Sequence, residues 1–280
     1  MNRLVLAFLA FAAVTVAPAA PALAKPPADV QTLSIGYLRN DGLAAPFAYW
    51  NGKWNWWDYN YPRPIRVASW WVYPLDEATA APFAVNTGNS VQVISESENG
   101  APDTWAQLTD FKHVFVRGSA YPGRHGFVAD VKVAATPFGA WELAAQTQRE
   151  VLARFEALQA ESEAFARDNT YPAEARARLP ARWRGRKAGN LTYVEVVREY
   201  PPCLGVGYYA AFYADGKRVY EEFEYADCDG QSLAALQPRV RFEWAGATYV
   251  AVERSQHEGG PADSIFVLEN GKLSDVFNPD

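Results

Sequence analysis

The sequence predicts a mainly β protein, with two antiparallel sheet regions flanking one long amphipathic helix. Two observations carry this. Short runs rich in Val, Ile, Tyr, Phe and Trp alternate with turns of Gly, Pro, Asn and Asp over most of the chain. One stretch alone, residues 141–167, switches to apolar residues at three- and four-residue spacings.

Residues 1–24 read as a signal peptide. Arg3 supplies a basic start, Leu4 to Val16 an apolar core, and Ala22-Leu23-Ala24 the small residues of a cleavage site, so Lys25 is the expected mature N-terminus. Pro18 and Pro21 cut the apolar run to about a dozen residues, whereas a membrane span needs roughly twenty. The expected location is therefore periplasmic or extracellular, with no span left after cleavage. The removed segment holds Arg3 and no acidic residue, which takes the net charge from −6 to −7. That balance excludes nucleic acid as a general partner, because phosphate binding needs clustered positive charge.

Residues 25–136 form an aromatic-rich β region. Leu33 to Arg39 and Ala45 to Trp50 are strands joined by Asn40-Asp41-Gly42, and Asn51-Gly52 turns the chain into Lys53 to Tyr61, so two hairpins follow in series. Pro62 and Pro64 end that run. Ile65 to Tyr73 is a further strand, Leu75 to Asn89 a long loop, and Val91 to Ser95 a strand. Phe111 to Arg117 and Gly126 to Ala134 pair across Pro122-Gly123.

Residues 137–189 comprise the helix and a basic linker. Trp141, Ala144, Val151, Phe155, Leu158 and Phe165 share one helical face, with most of the charged side chains off that stripe. Arg176, Arg178, Arg182, Arg184, Arg186 and Lys187 follow, and Gly185 and Gly189 mark that run as a linker. Residues 190–280 read as a β meander with turns at Asp215-Gly216, Ala245-Gly246 and Asn270-Gly271. The helix is expected to pack across both sheet regions.

Two cysteines, Cys203 and Cys228, imply one structural disulfide in an exported chain. No His or third Cys lies near them in sequence, so no metal is expected. Asp227-Cys228-Asp229-Gly230 reaches its glycine too soon for a calcium loop. His113, His125 and His257 are scattered, and no catalytic or nucleotide-binding signature occurs, so no cofactor and no catalytic residue is assigned.

Ten tryptophans are the compositional oddity, six of them between Trp50 and Trp71. Strand alternation places Trp54 and Trp56 on one face and Trp57, Tyr59 and Tyr61 on the other, with Trp70 and Trp71 on a later strand. One set packs a core. The other is available to stack on sugar rings, with its N–H and O–H groups bonding at the rim. The expected function is thus a non-enzymatic, exported binding or envelope-associated protein that meets a glycan or a protein partner through Trp54, Trp56, Trp57, Tyr59, Tyr61, Trp70 and Trp71. Two alternatives stand beside it. One is a structural or assembly component of the envelope. The other is an extracytoplasmic hydrolase with a carboxylate-based site, for which Glu222 and Glu224, about 7 Å apart on one strand face, are the adjacent acids.

Overall fold

The computed structural model describes residues 32–39, 43–57, 70–75, 83–85, 91–94, 103–107, 124–162, 165, 178–201, 205–226, 235–255 and 262–278. The first sheet comprises β1 (Leu33–Arg39), β2 (Leu43–Trp50), β3 (Trp54–Trp56), β4 (Trp70–Pro74), β5 (Phe83–Val85), β6 (Val91–Ile94), β7 (Asp103–Gln107) and β8 (Arg124–Ala129). Its order is β5-β4-β8-β1-β2-β7-β6, with β3 added on β2. Both hairpins expected at the start are present, β1 on β2 and β2 on β3, and Gly52 takes the positive φ of 104° that the second turn needs. The stretch read as a long loop instead contains β5, which pairs with β4 from Trp70↔Val85 to Val72↔Phe83. Phe111 to Arg117 lies outside the described residues.

The chain then runs through β9 (Ala134–Pro137), Phe138 and β10 (Gly139–Ala140) into helix α1 (Ala145–Glu161). The helix starts later than its apolar spacing predicts. Trp141 is held at a sheet edge, where its N–H donates to the Gly185 carbonyl at 3.0 Å. The basic segment is a strand, β11 (Arg182–Ala188), which turns at Gly189-Asn190 into β12 (Leu191–Glu199). β13 (Val206–Ala214) and β14 (Lys217–Ala226) follow, giving a sheet of order β10-β11-β12-β13-β14. The last strands are β15 (Ala235–Trp244), β16 (Ala247–Ser255), β17 (Ala262–Glu269) and β18 (Lys272–Asp275), in a sheet of order β18-β17-β16-β15-β9. The C-terminal meander is thereby divided between two sheets. Its three predicted two-residue turns all take left-handed conformations, at Asp215-Gly216, Ala245-Gly246 and Asn270-Gly271.

The three antiparallel sheets stack, with the β15–β18 sheet in the middle. Its face toward the first sheet carries Val240, Phe242, Trp244, Tyr249, Ala251 and Ile265, which pack on Ile35, Tyr37, Trp54, Tyr73 and Phe127. Its other face carries Leu236, Val250, Val252 and Phe266, which pack on Tyr193, Tyr208, Ala210 and Phe212. The run Tyr249-Val250-Ala251-Val252 is apolar at every position because each face of β16 meets a core. The outer face of the β10–β14 sheet is covered by the helix, with Val151 and Phe155 against Val194, Val196, Tyr209 and Ala211. Among the described residues, α1 therefore joins the core of one sheet and does not lie across two. Phe165 is also buried, while Trp141 is only half-buried. No helix among the described residues is long and apolar enough to cross a membrane.

Candidate functional site

The aromatic positions separate into two groups. Trp54 is buried between sheets, with its ring 5.4 Å from Tyr249 and 5.9 Å from Phe242. Trp57 and Trp70 are also buried. Trp71 is half-buried, packs against the first core, and lies under the Lys132 ammonium at 4.7 Å. Tyr59 and Tyr61 lie outside the described residues. Trp56 shares the strand face of Trp54 but sits beyond the edge of the core, 46% exposed, the one exposed large hydrophobic residue among those described. Its ring stacks on Phe277 with centroids 4.0 Å apart and planes 19° from parallel. Phe277 is oriented in turn by its own N–H, which donates to Asp275 Oδ1 at 2.9 Å. Trp56, on the short edge strand β3 and backed on one face by Phe277 beyond the end of β18, presents a half-exposed indole of the kind that stacks on a sugar face.

A second cluster is polar and lies between the two C-terminal sheets. The Tyr193 and Tyr208 hydroxyls are 3.1 Å apart. Tyr193 donates to the Leu236 carbonyl at 2.7 Å, and the Leu236 N–H donates to Tyr208 at 2.8 Å. Tyr193 also lies 3.0 Å from Glu195 Oε2, so its single proton faces three acceptors. Burial pushes both phenol pKa values up; Tyr208 and Glu195 add to this for Tyr193, and Glu222 and Glu195 for Tyr208, whose bonds to Tyr193 and Leu236 offset part of it. A few residues away, Tyr220 donates to Glu222 Oε2 at 2.6 Å, and Arg254 reaches the same oxygen at 3.3 Å. Glu222 Oε1 is buried with no hydrogen-bond partner among the described residues. Burial raises the Glu222 pKa above the usual carboxylate value and Glu224 adds to this, while Tyr220 and Arg254 offset part of it. Glu222 thus combines an acid's elevated proton affinity with one free buried oxygen.

The basic run is organised by β11. Arg184 lies opposite Glu195 and Arg186 opposite Tyr193, so both face the polar seam, with Trp183 and Gly185 turned to the helix side. The signal for this was legible: Gly189-Asn190 is a two-residue turn, and charged residues alternate with Trp183 and Gly185 before it. Arg178 is exposed, and Arg176 lies outside the described residues. Cys203, Cys228, His113, His257 and the Asp227–Gly230 turn also lie outside them, and His125 falls on β8. Compared with protein-family models, curated proteins and solved structures, the chain matches none.

Proposed function

We propose that this chain is an exported, non-enzymatic binding or envelope-associated protein that engages an envelope glycan through the Trp56–Phe277 platform. The observation that carries the reading is the exposure of Trp56 in a parallel stack. A half-exposed indole held flat offers one open face, and aromatic stacking needs little further ordering on binding. The signal-like residues 1–24 supply the route out of the cytoplasm. A Cys203–Cys228 disulfide belongs to the same reading. The β13–β14 ladder ends at Val206↔Ala226, three residues after Cys203 and two before Cys228, so the connecting backbone is short on both sides.

The test is retention of the mature chain on insoluble peptidoglycan, cellulose and chitin, with a Trp56→Ala variant alongside. Retention of wild type and loss by a folded variant supports the platform. Equal retention of both proteins refutes the role of Trp56, and no retention on any polymer refutes glycan binding and leaves the platform to a protein partner.

A hydrolase is the second reading, favoured by one observation: the Glu222 carboxyl is largely buried with Oε1 unbonded among the described residues, and that burial raises its pKa. A raised carboxyl is the form a general acid needs. Release of soluble sugars from peptidoglycan by wild type, abolished in Glu222→Gln, supports this reading, and its absence on all three polymers rejects it.

A further inference from the structure

We propose that Arg184, Arg186 and Arg239 form a binding site for a tetrahedral oxyanion, a phosphate group, at the seam where β10 and β11 meet β15. The site lies apart from the aromatic platform and does not depend on it.

Three features of the backbone bring these arginines to one seam. Arg184 and Arg186 are two residues apart on one face of β11, opposite Glu195 and Tyr193. Arg239 is the extra residue where the β15–β16 register shifts between Pro238 and Val240. Such bulges redirect a side chain out of the regular alternation. Phe138, the residue between β9 and β10, ties the two strands: its N–H donates to the Arg239 carbonyl at 3.0 Å, and its own carbonyl accepts from Arg186 Nη1 at 3.4 Å.

Arg186 is the residue short of partners. A guanidinium has five N–H donors, and among the described residues Arg186 uses one, in that single long bond to Phe138. Glu195 reaches Arg184 only at 3.4 Å and also serves Tyr193. Glu253 is engaged by Arg239 through Nε at 2.9 Å and Nη2 at 2.6 Å, and Gln237 takes a further bond at 3.0 Å. Three cations therefore share two carboxylates, and Arg186 faces neither at bonding distance. Burial, then Arg184, then Arg239 lower its pKa, which reports the same imbalance. Arg184 is 47% exposed, so an anion reaches the cluster from solvent. A tetrahedral anion suits donors arriving from two sheets, because it accepts bonds in several directions, and guanidinium–phosphate pairs are charge-assisted and bidentate.

The experiment is thermal unfolding of the mature protein in inorganic phosphate, in glycerol phosphate and in chloride at matched ionic strength. The wild-type midpoint is expected to rise with phosphate, by about 3–5 °C at ten times the dissociation constant, and not with chloride. Arg186→Gln should fold and bind about tenfold or more weakly, and Arg186→Lys should recover part of the effect. Arg182→Gln is the control: Arg182 shares the strand face but is exposed and paired with Glu199 at 2.6 Å, so this variant should respond as wild type does. A response to inorganic phosphate alone assigns a free-anion site, and a response to both phosphates assigns a group carried on a larger molecule. No phosphate-specific shift in wild type, or an undiminished shift in Arg186→Gln, overturns the proposal.

Discussion

Trp54 and Trp56 stand two residues apart on one strand face, and truncating each should have consequences of unequal size. An indole side chain buries about 200 Å², which at about 25 cal/mol/Å² is about 5 kcal/mol of transfer free energy. Trp54 is 8% exposed and bridges the first and middle sheets through Phe242 and Tyr249. Trp54→Ala should therefore cost about 3–5 kcal/mol, the range for a large core aromatic. Trp56 is 46% exposed and rests mainly on Phe277, which halves the area. Compactness of the unfolded chain lowers the figure further, so Trp56→Ala should cost about 1–2 kcal/mol. Urea unfolding followed by far-ultraviolet circular dichroism measures both variants against wild type. A loss from Trp56→Ala equal to that from Trp54→Ala would show that Trp56 is structural and would remove the platform. A loss under about 1 kcal/mol from Trp54→Ala would contradict the packing of those two sheets.

Glu222→Gln should flatten the pH dependence of stability. The folded protein holds this proton more tightly than the unfolded chain, so stability falls as pH rises from the usual carboxylate value of 4.5 to the raised folded value, then levels off. The variant lacks that decline and should gain on wild type as pH climbs, the attraction of Arg254 for the ionised carboxylate being already contained in the wild-type pH dependence. Parallel profiles between pH 4 and pH 8 would refute a raised Glu222. For the cysteines, intact mass and thiol labelling of the exported protein should show no free thiol. A Cys203→Ser/Cys228→Ser double variant should lose about 3–4 kcal/mol, the chain-entropy value for a loop of roughly 25 residues. Two labelled thiols in the native exported chain would refute the pairing.

Local pattern made much of the fold legible. Asp215-Gly216, Ala245-Gly246 and Asn270-Gly271 are turns because Gly and its partners reach left-handed backbone cheaply, and that property travels with the residues. Val151 and Phe155 are buried as their spacing predicts. The Arg182–Ala188 segment is a strand where its high charge predicts a solvated linker, and the alternation of charged residues with Trp183 and Gly185 before the Gly189-Asn190 turn is the local signal for it. Its strand character follows from pairing with Leu191–Glu199, a partner that tolerates the arginines on the seam face. The three-residue strand Phe83–Val85 is too short to carry a period of its own, and its ladder comes from β4.

The sequence by itself determined the class of fold, the hairpin turns and the helix that contains Val151 and Phe155, because each depends on neighbours within a few residues. Tertiary structure alone decided which tryptophan meets solvent, which face of β16 meets which sheet, and that Phe138 links Arg186 to the Arg239 backbone. Trp54 and Trp56 have the same strand parity and nearly the same neighbours in sequence. One lies under Phe242 and Tyr249 and the other at the rim beside Phe277, a distinction set by residues about 190–220 positions away that no local period can carry.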